Sequence, residues 1–68
     1  MKVIYDKETD TLTLILSDSE IVESDELREG IIIDYDAKGG IVSVEILDAS
    51  LKMANPSEIS YEMRGVSK

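Results

Sequence analysis

The feature that most limits what this chain can fold into is the stretch GIIIDYDAKGGIVSVEILDAS, residues 30–50, where two apolar runs flank a glycine-bearing turn. With Lys38-Gly39 as a two-residue turn, Tyr35 falls opposite Val42, Ile33 opposite Val44 and Ile31 opposite Ile46. All six then share one face of the pleat. A slip of one residue sets Asp34 beside Val42 and mixes charge into that face, so the pattern selects the first register. The same reasoning applies at the N-terminus, where Val3-Ile4-Tyr5 and Leu12-Thr13-Leu14-Ile15-Leu16 flank DKETDT. A turn centred on Glu8-Thr9 puts Tyr5 opposite Leu12 and Val3 opposite Leu14, and the alternation of Leu12, Leu14 and Leu16 with Thr11, Thr13 and Ile15 marks a half-buried strand.

Between the hairpins runs SDSEIVESDELREG, with six acids and only Ile21, Val22 and Leu27 as large aliphatic residues. It predicts a loop with a short irregular edge strand near residues 21–26, whose charges blunt pairing with other sheets. After Ile46 the pattern turns helical: Asp48 is expected to cap a helix of about two turns starting at Ala49, which Asn55-Pro56 ends. Ile59, Tyr61 and Met63 alternate with polar residues and predict a final strand, a short helix being the alternative for residues 57–64. The expected fold is α+β and mostly β: an antiparallel meander sheet of four to five strands with one short helix in the C-terminal half. Residues 1–64 form a single domain and residues 65–68 a frayed tail.

Composition narrows the function. Fifteen acids against seven bases give a net charge of -8, which disfavours direct binding to nucleic acid or to an anionic membrane surface and favours a basic partner or a cation. No apolar run reaches membrane-spanning length, the start MKVIYD lacks the form of a signal peptide, and there is no cysteine. A cytoplasmic protein without a cofactor is the simplest expectation. Without His or Cys, and with no serine in a G-x-S-x-G setting, the usual acid–base and nucleophilic chemistries lack their residues, so the chain is read as not an enzyme.

Three groups of acids invite a closer look. Asp34, Asp36 and Glu45 offer hard oxygen ligands for calcium or magnesium, and the alternative function is a metal-binding protein or metal-dependent enzyme that uses them; the competing reading places Asp34 and Glu45 on a solvated strand face, as repelling diagonal neighbours, with Asp36 shaping the turn. Asp6, Glu8 and Asp10 alternate like the start of a calcium loop, but the glycine and terminal glutamate of that loop are missing, which favours a hairpin turn. The acidic segment from Glu20 to Glu29 is either a solvated loop or a surface for a basic protein.

Several blocks resemble a known family. Tyr5-Asp6-x-Glu8-x-Asp10-x-Leu12, the acidic Glu23-Ser24-x-Glu26, and Gly30-Ile31-x-x-Asp34-Tyr35-Asp36 leading through Gly39 to Glu45-Ile46-Leu47-Asp48-Ala49-Ser50 are similar to DUF2283, a family of small bacterial and archaeal proteins defined as a domain of unknown function. The resemblance spans residues 1 to 52 and is most specific in its last block. Gly39-Gly40 departs from it, since the family commonly has one glycine beside a polar residue there. The family name implies no activity; an antitoxin-like role beside small toxin-like proteins is one implication of the resemblance.

Assembly follows from size. A two-turn helix covers only part of a face four strands wide, and Ile4, Ile15, Ile32, Ile41 and Leu47 all point to the other face. Both faces carry aliphatic side chains, which predicts a homo-oligomer, by default a dimer.

Overall fold

The structure, a computed structural model, describes residues 1–65. It contains five strands, β1 (Lys2–Asp6), β2 (Thr11–Ile15), β3 (Glu23–Arg28), β4 (Ile31–Tyr35) and β5 (Ile41–Ile46), followed by one helical turn, α1 (Ala49–Lys52). All strand pairs are antiparallel and form one sheet in the order β1-β2-β5-β4-β3. The expected class, mostly β with one short helix, is the one observed. The strand order departs from a sequential meander at one point: β2 lies beside β5, and the chain then crosses to the far edge to form β3. Composition fits this order, because the aliphatic strands β2, β5 and β4 take the inner positions while the acidic β3 takes an edge. Among the described residues no helix is long and apolar enough to cross a membrane.

The registers match expectation through the body of the sheet. Tyr5 pairs with Leu12 and Val3 with Leu14; Ile33 pairs with Val44 and Ile31 with Ile46. The turn between β4 and β5 differs. It holds three residues, Ala37 to Gly39, closed by a bond from the Asp36 N–H to the Gly40 carbonyl (2.9 Å) and one from the Gly39 N–H to the Asp36 carbonyl (3.0 Å). Gly39 takes the left-handed conformation (φ 81°) that this longer turn needs at its last position. Tyr35 therefore pairs with Ile41 rather than Val42, and the register recovers through a bulge before Ser43 pairs with Asp34. Val42 is the extra residue. Its side chain is buried, and its carbonyl accepts the Leu16 and Ser17 N–H groups, tying the end of β2 to the bulge.

β3 sits two residues later than expected and is exposed along its whole length, with a second irregularity between Glu26 and Arg28. Helix α1 is one turn rather than two, because Met53 is already extended (φ -145°, ψ 156°). Asp48 does not cap it: its own backbone is left-handed (φ 52°), whereas a capping side chain works from an extended backbone, and it makes no such bond. The expected strand at Ile59–Met63 is absent, and so is the alternative helix, since residues 53–65 hold no helix or strand. The alternation is present there, but no neighbouring strand supplies the ladder bonds that define a strand. Apart from Gly65, the tail expected at 65–68 lies outside the described residues.

The interior is thin. Among the described residues Leu12, Val42, Ala49 and Pro56 are the buried apolar ones, and no large side chain is fully enclosed. Val3, Leu14, Ile31, Ile33, Val44 and Ile46 on one face, and Ile15 and Ile32 on the other, are only half-buried. The turn conformation gives a direct test. Gly39→Ala should cost about 1 kcal/mol, because an L-residue is strained at this φ, whereas Gly39→Asn should cost less. A Cβ at position 39 meets nothing within 4 Å, so a larger loss for alanine in urea denaturation would show that the strain argument is incomplete.

Candidate functional site

The sheet carries two hydrogen-bonded carboxylate clusters, one on each hairpin. The first is centred on Asp34, in the middle of β4. Antiparallel pairing sets Ser24 of β3 on one side of it and Ser43 of β5 on the other. Both serines donate: Ser24 Oγ to Oδ1 at 2.5 Å and Ser43 Oγ to Oδ2 at 2.6 Å. Asp34 is 3% exposed and Ser43 is 6% exposed. This corrects the expected solvated face, and a lysine at position 43, which that face would have tolerated, would bury a charge. The two hydroxyl bonds hold the Asp34 carboxyl below the usual carboxylate range in spite of its burial. Glu45, also on β5, moves the other way: its contact with Asp34 and its partial burial push its carboxyl up. The pair is arranged for one carboxylate, on Asp34, and a neighbour that holds its proton more readily.

The second cluster is centred on Asp10, the last residue of the β1–β2 turn, whose left-handed backbone (φ 55°) turns the chain into β2. Its carboxylate accepts the Tyr5 hydroxyl at 2.6 Å, the Ser50 hydroxyl at 2.6 Å and the Ser50 N–H at 3.1 Å, while its carbonyl accepts the Ala49 N–H at 2.8 Å. Asp10 therefore does for α1 what Asp48 was expected to do, from forty residues away in sequence. The bonds from Ser50 and Tyr5 hold the Asp10 carboxyl low, and the bond to Asp10 holds the Tyr5 phenol high. The cluster was not foreseen, although Tyr5, Asp10 and Ser50 all lie in the blocks that resemble DUF2283.

The remaining candidates resolve into turn chemistry. Asp36 Oδ1 accepts the N–H groups of Lys38 (2.9 Å) and Gly40 (2.8 Å). A Cβ at position 40 would lie 3.0 Å from the other Asp36 carboxylate oxygen, so the second glycine gives that carboxylate room. Asp6 Oδ1 accepts the Glu8 N–H at 2.9 Å, as an Asx turn does, so Asp6, Glu8 and Asp10 shape a hairpin turn. Asp34 and Glu45 come together, but Asp36 does not join them, and among the described residues no three His, Cys, Asp or Glu side chains converge as metal ligands would. The Glu20–Glu29 segment is exposed; besides the Ser24 bond to Asp34, its Glu26 carboxylate accepts the Gly30 N–H at 2.9 Å, at the β3–β4 turn.

The surface concavities are open depressions. One is lined by Arg28, Glu29, Ile31 and Lys52, another by Ser19, Glu20, Val22, Asp36, Ala37 and Lys38. In the first, the Lys52 ammonium is already donated to the Leu47 carbonyl.

Residues 2–50 match the family model described as protein of unknown function (DUF2283). The chain belongs to the DUF2283 family. The matched residues contain all five strands and end at Ser50, so both carboxylate clusters of this chain lie within the matched stretch, and the segment after α1 lies beyond it. No curated protein and no solved structure matches the chain.

Two predictions follow from the clusters. Asp34 has a lowered pKa, so its stabilisation is present above the ordinary carboxylate range and is lost as pH falls through that lowered value. Glu45 has a raised pKa, so ionising it opposes folding at neutral pH, and the penalty lifts as pH falls through the raised value. Stability should therefore rise on mild acidification before it falls. Glu45→Gln should flatten that rise without loss at pH 7, and Asp34→Asn should cost about 1–2 kcal/mol at pH 7 by removing a charged acceptor. Urea melts from pH 4 to 7 check both, and equal effects of the two substitutions would refute the assignment of opposite roles. At the other cluster, Asp10→Asn should bring the Tyr5 titration back toward ordinary phenol and speed amide exchange at Ser50. Ultraviolet titration and hydrogen exchange read these changes.

Proposed function

We propose that this chain is a non-enzymatic protein-binding module that assembles with itself, a dimer being the default. The observation that carries the reading is the unfinished interior. A single sheet five strands wide has both faces half open, and its lone helical turn covers little of either. The accessible surface is 5524 Å², against about 4,200 Å² for a compact monomer of this mass, an excess of roughly 1,300 Å². The radius of gyration is 13.6 Å where about 11 Å is usual for this length. An excess of that size exceeds the roughly 800 Å² that each partner gives up in an ordinary stable interface. Part of that excess comes from the chain after β5, where Leu51, Tyr61 and Met63 are each at least 75% exposed.

Support for a role other than catalysis comes from the clusters. Asp34 closes on Ser24 and Ser43, and Asp10 on Tyr5, Ser50 and backbone, so the lowered carboxylates are already engaged within the fold. The exposed charges of β3 protect an edge, and they would also suit a basic protein, which is the other occupant the test below distinguishes.

Sedimentation equilibrium at micromolar concentration should give twice the 7.5 kDa mass or a higher multiple. The melting temperature should rise with protein concentration, as coupled folding and association require. Added salt should not dissociate the assembly, since apolar burial drives it and screening eases repulsion between chains of charge -8. A monomer with a concentration-independent melt would reject self-assembly and favour the basic partner.

A further inference from the structure

The two edges of the sheet are unlike. β3 carries Glu23, Asp25 and Glu26 and is broken by an irregularity, so it is poorly suited to receive another strand. β1 is regular, pairs residue for residue with β2 from Lys2 to Asp6, and carries no proline, glycine or bulge. No described turn or loop bonds to its backbone. Its five residues read Lys-Val-Ile-Tyr-Asp, and they are self-complementary. Set antiparallel to a copy of itself about Ile4, the strand places Lys2 opposite the partner's Asp6, Val3 opposite the partner's Tyr5, and Ile4 opposite the partner's Ile4. Shifting the register by one residue sets Lys2 against tyrosine or Asp6 against valine and loses both charge pairs.

We infer that two copies join edge to edge along β1, in the antiparallel register centred on Ile4, to give one continuous ten-stranded sheet. The partner is a second copy of this chain, and the inference rests on the self-assembly proposed above. The contact is a two-fold, isologous one, so it closes at two copies. Cross-strand neighbours lie on the same side of a sheet. The Val3–Tyr5 pairs therefore extend the apolar face that holds Leu12 and Leu14, and the Ile4 pair covers a side chain that is 40% exposed in the single chain. Lys2 and Asp6 are both exposed, and the bond from the Glu8 N–H uses one Asp6 oxygen and leaves the other for lysine. On a chain of charge -8, β1 is the edge where charge attracts rather than repels a copy.

Charge exchange tests the register. Lys2→Glu sets acid against acid at both ends of the contact and Asp6→Lys sets base against base, so each variant alone should dimerise on the order of ten-fold more weakly at low salt. The double variant Lys2→Glu/Asp6→Lys restores both pairs and should recover wild-type dimerisation. An equimolar mixture of the two single variants should form heterodimer well above the statistical half by native mass spectrometry. A control pair with the same net charges, Lys7→Glu mixed with Glu8→Lys in the adjacent turn, should stay at half. Weakening by the single variants with recovery in the double variant and in the mixture supports the edge contact. If wild type dimerises and the single variants do so equally well, or the mixture stays statistical, the copies meet elsewhere and only this inference fails. A monomeric wild type overturns both this contact and the self-assembly on which it rests.

Discussion

Pairing of β2 with β5 is the contact on which everything else depends. Each of the two hairpins is local, its register set by a turn and an apolar alternation, and a two-stranded hairpin is marginal in water by itself. Setting Leu12 opposite Ile46 and Leu14 opposite Val44 turns two marginal units into one sheet. The same pairing brings the β1–β2 turn beside the end of β5, which is the only way Asp10 can reach Ser50. It also places the extension of β2 against the Val42 bulge. The order of strands is thus an energetic choice: the aliphatic β2, β5 and β4 meet inside the sheet, and the strand with most acids is left at an edge, where its charges keep their water.

The polar groups of the interior follow one pattern. Asp34 is buried on a sheet that has little apolar mass to spare, and it is matched by a serine hydroxyl from each neighbouring strand, so each carboxylate oxygen has a donor. Among the described residues no buried side-chain polar atom is left without a partner. A buried carboxylate with two short hydroxyl bonds fixes the alignment of three strands more sharply than half-buried aliphatic contacts do, because a slip of one residue would strand its charge. Glu45 sits beside it at a cost, and its raised pKa is the sign of that cost. The Asp10 cluster fixes the second alignment, between the N-terminal turn and α1. In this chain Asp34 thus aligns β3, β4 and β5, while Tyr5, Asp10 and Ser50 tie the first hairpin to α1.

That role bears on function. The most distinctive polar residues are engaged in the domain's own alignment, while its two faces are half open and β1 is a regular edge. Under the proposed function, recognition of a second copy, the self-complementary edge strand offers the route.

Local periodicity alone determined the two hairpins, most of their registers and the position of the single helical turn, because side-chain alternation and turn chemistry act over a few residues and are written in consecutive letters. The same local reading placed Asp36 and Asp6 correctly as turn residues. It placed Asp34 in solvent because a charged residue between Ile33 and Tyr35, two residues of the apolar face, normally points outward, and the serines that satisfy it lie ten and nine positions away on different strands. It assigned the helix cap to Asp48 because proximity in sequence is the usual rule, whereas the carboxylate that does the work arrives from a turn forty residues earlier. It drew a strand at Ile59–Met63 from alternation that no neighbour completes. Strand order, the cap and the buried carboxylate were decided only by tertiary structure, since each depends on which distant backbone comes within hydrogen-bonding distance, and that follows from how the apolar strands sort themselves toward the centre of the sheet.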